Sequence, residues 1–256
     1  MQNDKKYILT IAGLDPSSGA GITSDIKTFE AHGLYGLSVC TAITVQNDIK
    51  FKQCVWIDIN VIISQIETLF DRFDINVVKI GIVQSWEKIS LLLDKLLALN
   101  SNVKVILDPI IKATSSKFNF HLENDSSILD RIFEKVYLVT PNYDEIQKLY
   151  PKKSIEEAVN TIKSKTNLYL KGGHREDKKG LDALYFDKNI ETNLFPIYET
   201  VYEKHGSGCV FASSIASYIT LGYAIDEAAT HAKIYIENFL RSNKSLLGTH
   251  KKLIIS

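Results

Sequence analysis

His205-Gly206-Ser207-Gly208-Cys209 precedes a run of small and apolar residues, 210–216, that is typical of the first turns of a helix. Glycines on either side of a small hydroxyl residue let the backbone N–H groups turn toward one point. A helix N-terminus adds unpaired N–H donors and the positive end of the helix dipole. The stretch predicts a cradle for phosphate, although a tight turn before a core helix with a buried Cys209 thiol explains the same residues.

Apolar runs upstream of this stretch alternate with segments of helical spacing. The runs that predict strands are residues 7–12, 37–45, 77–81, 103–107, 136–139 and 167–171. Helical spacing occurs in residues 22–31, 58–70, 86–97 and 143–150 and beyond a capping box at Ser154. This alternation predicts a mainly parallel sheet with helices on both faces. Residues 181–195 instead predict a β-hairpin, and residues 200–202 one further short strand.

The composition is that of an ordinary globular chain, with 45% hydrophobic and 23% charged residues among 256. We find no repeat or linker and predict one domain, 1–256. The 30 basic and 30 acidic residues cancel, and no basic block is interleaved with aromatics, so neither nucleic acid nor a membrane is an expected partner. No apolar run is long enough to span a membrane, which predicts a soluble, cytoplasmic protein. Cys40, Cys54 and Cys209 form no CxxC pair and are expected to be free thiols.

Polar residues follow the C-terminal ends of several predicted strands, where open α/β sheets bind their ligands. These residues are Asp15, Gln46, Asp108, Asn142 and Lys171. Neither G-x-G-x-x-G nor G-x-x-x-x-G-K-[ST] occurs in the chain, which disfavours an NAD-dependent dehydrogenase and a P-loop enzyme.

Seven ordered blocks resemble the hydroxymethylpyrimidine/phosphomethylpyrimidine kinases of thiamine biosynthesis, within the ribokinase-like superfamily. The blocks are LTIAGLDPSSGAGI (9–22, with DIKTF at 25–29), TAITVQN (41–47), VKIGI (78–82), LDP (107–109), VTPNYDE (139–145), LKGGH (170–174) and HGSGC (205–209). The resemblance implies a three-layer αβα fold and homodimers. It also implies phosphorylation by ATP, with Mg²⁺, of 4-amino-5-hydroxymethyl-2-methylpyrimidine and then of its monophosphate to the diphosphate.

The resemblance also assigns residues to the pyrimidine. Gly13, Asp25, Gln46 and Ile82 would surround the ring, with Asp25 and Gln46 hydrogen-bonded to its amine and ring nitrogens. Taken without the resemblance, Asp25 is explained as a solvated helix-face carboxylate and Gln46 as the cap of a strand.

A second group is assigned to the nucleotide. Asp108, Asn142 and Lys171 would contact ATP and its phosphates, Asp108 and Glu145 would hold Mg²⁺ directly or through water, and residues 206–208 would form the anion hole. An alternative explanation is that Asp108 is a turn residue and that Asn142 and Glu145 are a helix N-cap and a first-turn acid.

Cys209 stands where ribokinase-like sugar kinases carry an aspartate base and the pyrimidine branch carries cysteine. It is predicted to accept or to orient the proton of the substrate hydroxymethyl group. The sequence departs from its relatives at Ser18, often glycine, and in residues 108–116, which lack a usual glycine. His174 and His205 are expected to be structural or substrate-edge residues, not metal ligands.

Two other functions stay open. Pyridoxal or pyridoxine kinases phosphorylate the hydroxymethyl group of a similar ring. A catalytically silent pyrimidine-binding module is the other, although it has no need of a phosphoryl anion hole, of Lys171 or of Cys209.

Overall fold

The computed structural model describes residues 5–111, 126–173, 180–187 and 190–252. The strands are β1 Tyr7–Leu14, β2 Tyr35–Gln46, β3 Phe51–Trp56, β4 Ile75–Ile80, β5 Lys104–Leu107, β6 Leu138–Val139, β7 Asn167–Leu170, β8 Asp182–Phe186 and β9 Ile190–Leu194. The helices are α1 Gly21–Ala31, α2 Ile59–Phe70, α3 Trp86–Leu99, α4 Ser126–Phe133, α5 Tyr143–Leu149, α6 Ile155–Lys163, α7 Ser207–Leu221 and α8 Ile225–Arg241.

The described strands form one sheet in the order β3-β2-β1-β4-β5-β6-β7-β8-β9. The six central strands β2, β1, β4, β5, β6 and β7 are parallel, and antiparallel strands flank them at both edges. The predicted hairpin is confirmed as β8 and β9, with Ala183 opposite Asn193 and Tyr185 opposite Glu191. The parallel centre brings the ends of β1, β2, β4, β5, β6 and β7 to one edge.

Helices cover both faces of the sheet, which confirms the predicted three-layer αβα architecture. Helices α2 to α6 pack on one face around a core that includes Trp86 and Phe133. Helices α1, α7 and α8 pack on the other face around Phe29 and Phe211. Alternate residues of the central strands serve the two cores, as Val105 and Ile106 do in β5. Within the described residues no helix has both the length and the apolar character needed to cross a membrane.

Local sequence signals set several helix ends. Asp58 and Ser85 accept backbone hydrogen bonds as N-caps of α2 and α3, and Ser154 forms the predicted capping box with Glu157 at α6. Helix α7 begins after Gly206, whose φ of 72° is the left-handed conformation that glycine adopts without strain.

The predicted strand at residues 200–202 is wrong. The chain is irregular there because its backbone bonds to helix α8 and not to the sheet: the Tyr202 N–H donates to the Leu240 carbonyl at 3.4 Å, and the N–H groups of Ile197 and Tyr198 donate to Glu237. Strand β3 and helix α4 were not predicted.

Candidate active site

A cavity of about 250 Å³ opens at the edge where the parallel strands end. Its walls come from the segments after β1, β2, β4, β5, β6 and β7 and from the first turn of α7. All the predicted site residues except Asp25 line it, and the structure thus brings together residues separated by almost 200 positions. They are Gly13, Gln46, Ile82, Asp108, Asn142, Glu145, Lys171, Gly206, Ser207, Gly208 and Cys209.

The glycine stretch meets the loop after β1 at very close range. A Cβ added to Gly206 would lie 2.0 Å from the Gly19 carbonyl oxygen, so no side chain fits there without moving backbone. Gly208 faces the other side, and its added Cβ would lie 3.4 Å from the Lys171 ammonium and 3.8 Å from Asp108 Oδ2. The start of helix α7 therefore lies between the β1 loop and the ion pair of Lys171 and Asp108.

Asp15 and His205 join the β1 loop to the glycine stretch. The buried Asp15 carboxylate accepts hydrogen bonds from the N–H groups of Ser17 and Ala20 and lies 2.8 Å from His205 Nε2. Burial by itself would raise the pKa of Asp15, but these hydrogen bonds, that of His205 above all, outweigh it and lower the pKa to about 2. His205 thus has the structural or substrate-edge position expected of it, whereas His174 lies outside the described residues.

Ser18, where the sequence departs from its relatives, has a positive backbone φ angle. Ser18 has a φ of 60°, a conformation that favours glycine. The other departure, in residues 108–116, lies outside the described residues from position 112 onward.

One end of the cavity carries an ion-paired lysine and two acids. The Lys171 ammonium is 3.1 Å from Asp108 Oδ1 and 3.8 Å from Glu145 Oε2. Burial disfavours the charged lysine, but the two carboxylates outweigh burial and raise the pKa of Lys171 to about 12. Burial raises the pKa of Glu145, and Lys171 opposes that shift.

Asn142 and Glu145 also form a reciprocal capping box at α5. The Glu145 N–H donates to Asn142 Oδ1 at 2.8 Å, and the Asn142 N–H donates to Glu145 Oε2 at 2.7 Å. The two residues therefore do cap helix α5, as the alternative explanation proposes, and the same two side chains also line the cavity. The cap fixes their position beside Lys171.

The opposite end of the cavity is built from β1, β2 and β4. Gly13, Gln46 and Ile82 line this end, and their contact with a pyrimidine stays a prediction. Two threonine hydroxyls tie its loops together, because Thr41 donates to the Ile82 carbonyl at 2.6 Å and Thr44 to the Leu14 carbonyl at 2.8 Å. Space beside Gly13 is limited, since an added Cβ would lie 2.9 Å from Ile82.

Asp25 does not line the cavity. Its fully buried carboxylate accepts hydrogen bonds from Thr10, Ser213 and the Lys79 ammonium. A direct bond to the pyrimidine requires one of these to break, so the predicted substrate contact of Asp25 stays a prediction. Lys79, to which the sequence analysis gave no role, does line the cavity.

Cys209 lies in the first turn of α7 and is buried. Burial raises the pKa of its thiol to about 11, although Lys79 and a backbone hydrogen bond from Gly21 act in the opposite direction. At neutral pH the group is a protonated thiol. Cys40 and Cys54 are also free, as expected.

The donor set fits Mg²⁺ held mainly by phosphate and water. Mg²⁺ prefers oxygen ligands and binds in kinases through one or two carboxylates together with substrate phosphates. Asp108 and Glu145 supply such oxygens at one end of the cavity. Within the described residues no group of three or more histidine, cysteine, aspartate or glutamate side chains is placed to hold a metal without such help.

The doubly covered sheet, with its cavity at the strand ends and a glycine-flanked helix N-terminus, defines a ribokinase-like fold. Solved structures agree. The pyridoxal kinase of Staphylococcus aureus in complex with ADP superposes with a TM-score of 0.82 at 25% identity, covering 98% of this chain and 95% of that one. The phosphomethylpyrimidine kinase of Clostridium difficile 630 gives a TM-score of 0.75 at 33% identity, covering 91% and 98%.

The chain belongs to the phosphomethylpyrimidine kinase family, whose sequence profile matches residues 15–253. A hydroxymethylpyrimidine/phosphomethylpyrimidine kinase of Rhizobium meliloti is 30% identical over 236 residues, which cover 89% of this chain and 88% of that protein. A thiamine biosynthesis bifunctional protein of Geobacter sulfurreducens is 32% identical over 252 residues, 95% of this chain. The chain spans 51% of that bifunctional protein and 55% of a bifunctional thiamine biosynthesis protein of Methanocaldococcus jannaschii.

Proposed function

We propose that this chain, acting as one domain, transfers the γ-phosphoryl group of ATP to 4-amino-5-hydroxymethyl-2-methylpyrimidine and then to the resulting monophosphate, giving the diphosphate used for thiamine. The observation that supports this best is the cavity itself. It joins an apolar and amide-lined end, at Gly13, Gln46 and Ile82, to an end with Lys171 and carboxylates, and the start of α7 lies between them.

Phosphoryl transfer asks a protein mainly for position and for neutralisation of charge. Lys171 would contact the phosphates of ATP, and the N–H groups at residues 206–209 would point at the group in transit. Gln46 would accept from the ring amine and donate to a ring nitrogen, which orients the hydroxymethyl group toward those N–H groups. The same alignment serves both transfers.

Asp108 and Glu145 would hold the Mg²⁺ that accompanies ATP, and this ion would supply neutralisation of the β- and γ-phosphates. The resting thiol makes Cys209 a hydrogen-bond donor to the substrate hydroxyl. The raised pKa of the buried thiol therefore favours orientation of that hydroxyl over removal of its proton by a preformed thiolate.

Pyridoxal kinase is the second candidate, favoured by the superposition on the S. aureus enzyme. An ATP-coupled assay with the purified chain separates the two. We expect kcat/KM for the hydroxymethylpyrimidine to exceed that for pyridoxal at least tenfold. The reverse ratio would assign the chain to pyridoxal, and binding of the pyrimidine without ADP release would assign it to a silent binding module.

We also propose that the chain forms a homodimer. Support comes from the family resemblance and from apolar side chains on the outer strands, where Ile43 and Val55 lie opposite each other and both are about half exposed. Light scattering should give about twice the mass of one chain, and substitution of Ile43 by lysine should lower it if this surface forms the interface.

A further inference from the structure

Lys79 is a charged residue in the middle of the sheet. It lies on strand β4, which pairs with β1 on one side and β5 on the other, and none of its surface is exposed to bulk solvent. Lysine is almost never fully buried unless a partner compensates its charge. Its side chain nevertheless lines the cavity, between Gly13 on one side and Asp108 on the other.

The partner of Lys79 is Asp25, and groups of the protein occupy all the acceptor positions of its carboxylate. Asp25 Oδ1 and Oδ2 lie 3.0 Å and 2.9 Å from the Lys79 ammonium. The hydroxyls of Thr10 and Ser213 donate to the same carboxylate at 2.6 Å and 2.7 Å. A carboxylate offers about four acceptor positions, so these four hydrogen bonds saturate Asp25.

The ammonium is not saturated in the same way. It has three N–H donors, and in the described part of the chain its hydrogen bonds go to Asp25 alone. Burial lowers the pKa of Lys79, but Asp25, with a smaller contribution from Asp108, outweighs burial and raises it. The cavity therefore contains a permanent cation with donor capacity to spare.

The other basic side chains of the cavity lining also have partners. Lys171 is paired with Asp108 and Glu145, and His205 with Asp15. Under the proposed function, the hydroxymethyl acceptor of the first transfer is neutral, whereas the acceptor of the second is a phosphate of charge about −1.5 to −2 facing the triphosphate of ATP. That second acceptor needs a positive group in the cavity, which Lys79 lines together with Cys209.

We propose that Lys79 binds the phosphate of the monophosphate acceptor in the second transfer, and that Asp25 serves as its counter-ion. This inference rests on the proposed function. An oxygen of the acceptor phosphate forms a new bond to the γ-phosphorus, the bond from that phosphorus to the bridging oxygen breaks, and ADP leaves with the electron pair. The acceptor oxygen of the dianion carries no proton, so Lys79 offsets charge and transfers nothing.

The double variant K79M/D25N tests this assignment, because it removes both charges while keeping the side-chain volumes similar. The single variant K79M leaves Asp25 buried without its counter-ion and is expected to fold poorly. The matched control is K233M/D182N, which likewise removes both charges of a buried pair, since Lys233 lies 2.7 Å from Asp182 but does not line the cavity. The readouts are kcat/KM for each of the two acceptors and, without ATP, the calorimetric Kd of the monophosphate.

We expect K79M/D25N to lose about 10- to 100-fold more in kcat/KM for the monophosphate than for the hydroxymethylpyrimidine, mainly through KM, because one charge-assisted hydrogen bond to the phosphate is lost. A contact of Asp25 with the ring would affect both acceptors alike and cancel in this ratio. The monophosphate Kd should rise by at least this factor, and K233M/D182N should leave the ratio of the two activities unchanged. Equal losses for both acceptors, or no loss for either, would overturn the inference alone. Wild-type protein that phosphorylates neither pyrimidine would overturn the proposed function and the inference with it.

Discussion

Replacing Gly206 by alanine should slow catalysis strongly while leaving most of the fold intact. Gly206 is the N-cap of α7 with φ 72°, and the Cβ of alanine would lie 2.0 Å from the Gly19 oxygen. The same helix supplies the control. Gly222 is its C-cap with φ 102°, and nothing lies within 4 Å of a Cβ added there. Both substitutions strain the backbone, but only one displaces the cavity wall.

The structure gives the size of the two effects. Alanine in a left-handed conformation costs about 1–2 kcal/mol at either position. Real Cβ contacts essentially never fall below 3.0 Å, so at Gly206 the β1 loop and the start of α7 must also separate. The required shift is about 1 Å, and a misplacement of that size costs about 100-fold in rate. We therefore expect Gly206→Ala to lower kcat about 100-fold and Gly222→Ala to change it less than twofold.

The assay is ADP release at saturating pyrimidine, with the free energy of unfolding from urea titration of each variant. The shared strain should appear as similar losses of stability, with the larger loss at Gly206. Wild-type turnover in a folded Gly206→Ala protein would refute the role of residues 206–209 as the anion hole. An equal loss of turnover in Gly222→Ala would show that any strain in α7 has the same effect.

Three further substitutions probe the same loops. Ser18→Gly should stabilise the protein by about 1 kcal/mol, because it relieves a φ of 60°, and a lower urea midpoint would contradict this. Cys209→Ala should reduce turnover far more than ATP affinity and reduce the first transfer more than the second, whose acceptor carries no proton; wild-type turnover on both acceptors would exclude any role for the thiol. The pKa of Asp15 is about 2 against 3.8, so its ionised carboxylate stabilises the fold above pH 4, and this stabilisation is lost as the pH falls from 4 toward 2. Asp15→Asn should therefore lower the free energy of unfolding by about 1–2 kcal/mol at neutral pH and flatten the acid unfolding curve between pH 4 and 2.

The central architecture follows from local patterns. Apolar strands that alternate with amphipathic helices produce a parallel sheet covered on both faces, and polar residues after strands such as Asp108 and Asn142 meet at its edge. The edges of the sheet are less predictable. Strand β3 contains the adjacent polar residues Lys52 and Gln53, and none of its residues is fully buried. Its sequence therefore lacks the regular apolar pattern that predicts a strand. Residues 200–202 have strand propensity, but the Tyr202 N–H donates to a carbonyl of helix α8 and not to a strand of the sheet.

The buried charge pair was missed for a different reason. Lys79 and Asp25 are 54 residues apart, and the hydroxyl of Ser213 that completes their network is 188 residues from Asp25. Only the packing of α1 and α7 against β4 brings them together, and local periodicity contains no trace of it. One signal was present, since a lysine interrupts an otherwise apolar strand at residues 77–80. Such a lysine is either at an edge or paired in the core.

The central claim is that one cavity performs two successive transfers, and a phosphorus NMR time course tests it most directly. The purified chain is incubated with ATP, Mg²⁺ and the hydroxymethylpyrimidine in the absence of any other enzyme. The account predicts that the resonance of the monophosphate rises first and then declines as the two resonances of the diphosphate appear, with two ADP formed for each pyrimidine consumed. A time course that ends at the monophosphate, with one ADP per pyrimidine, would contradict it.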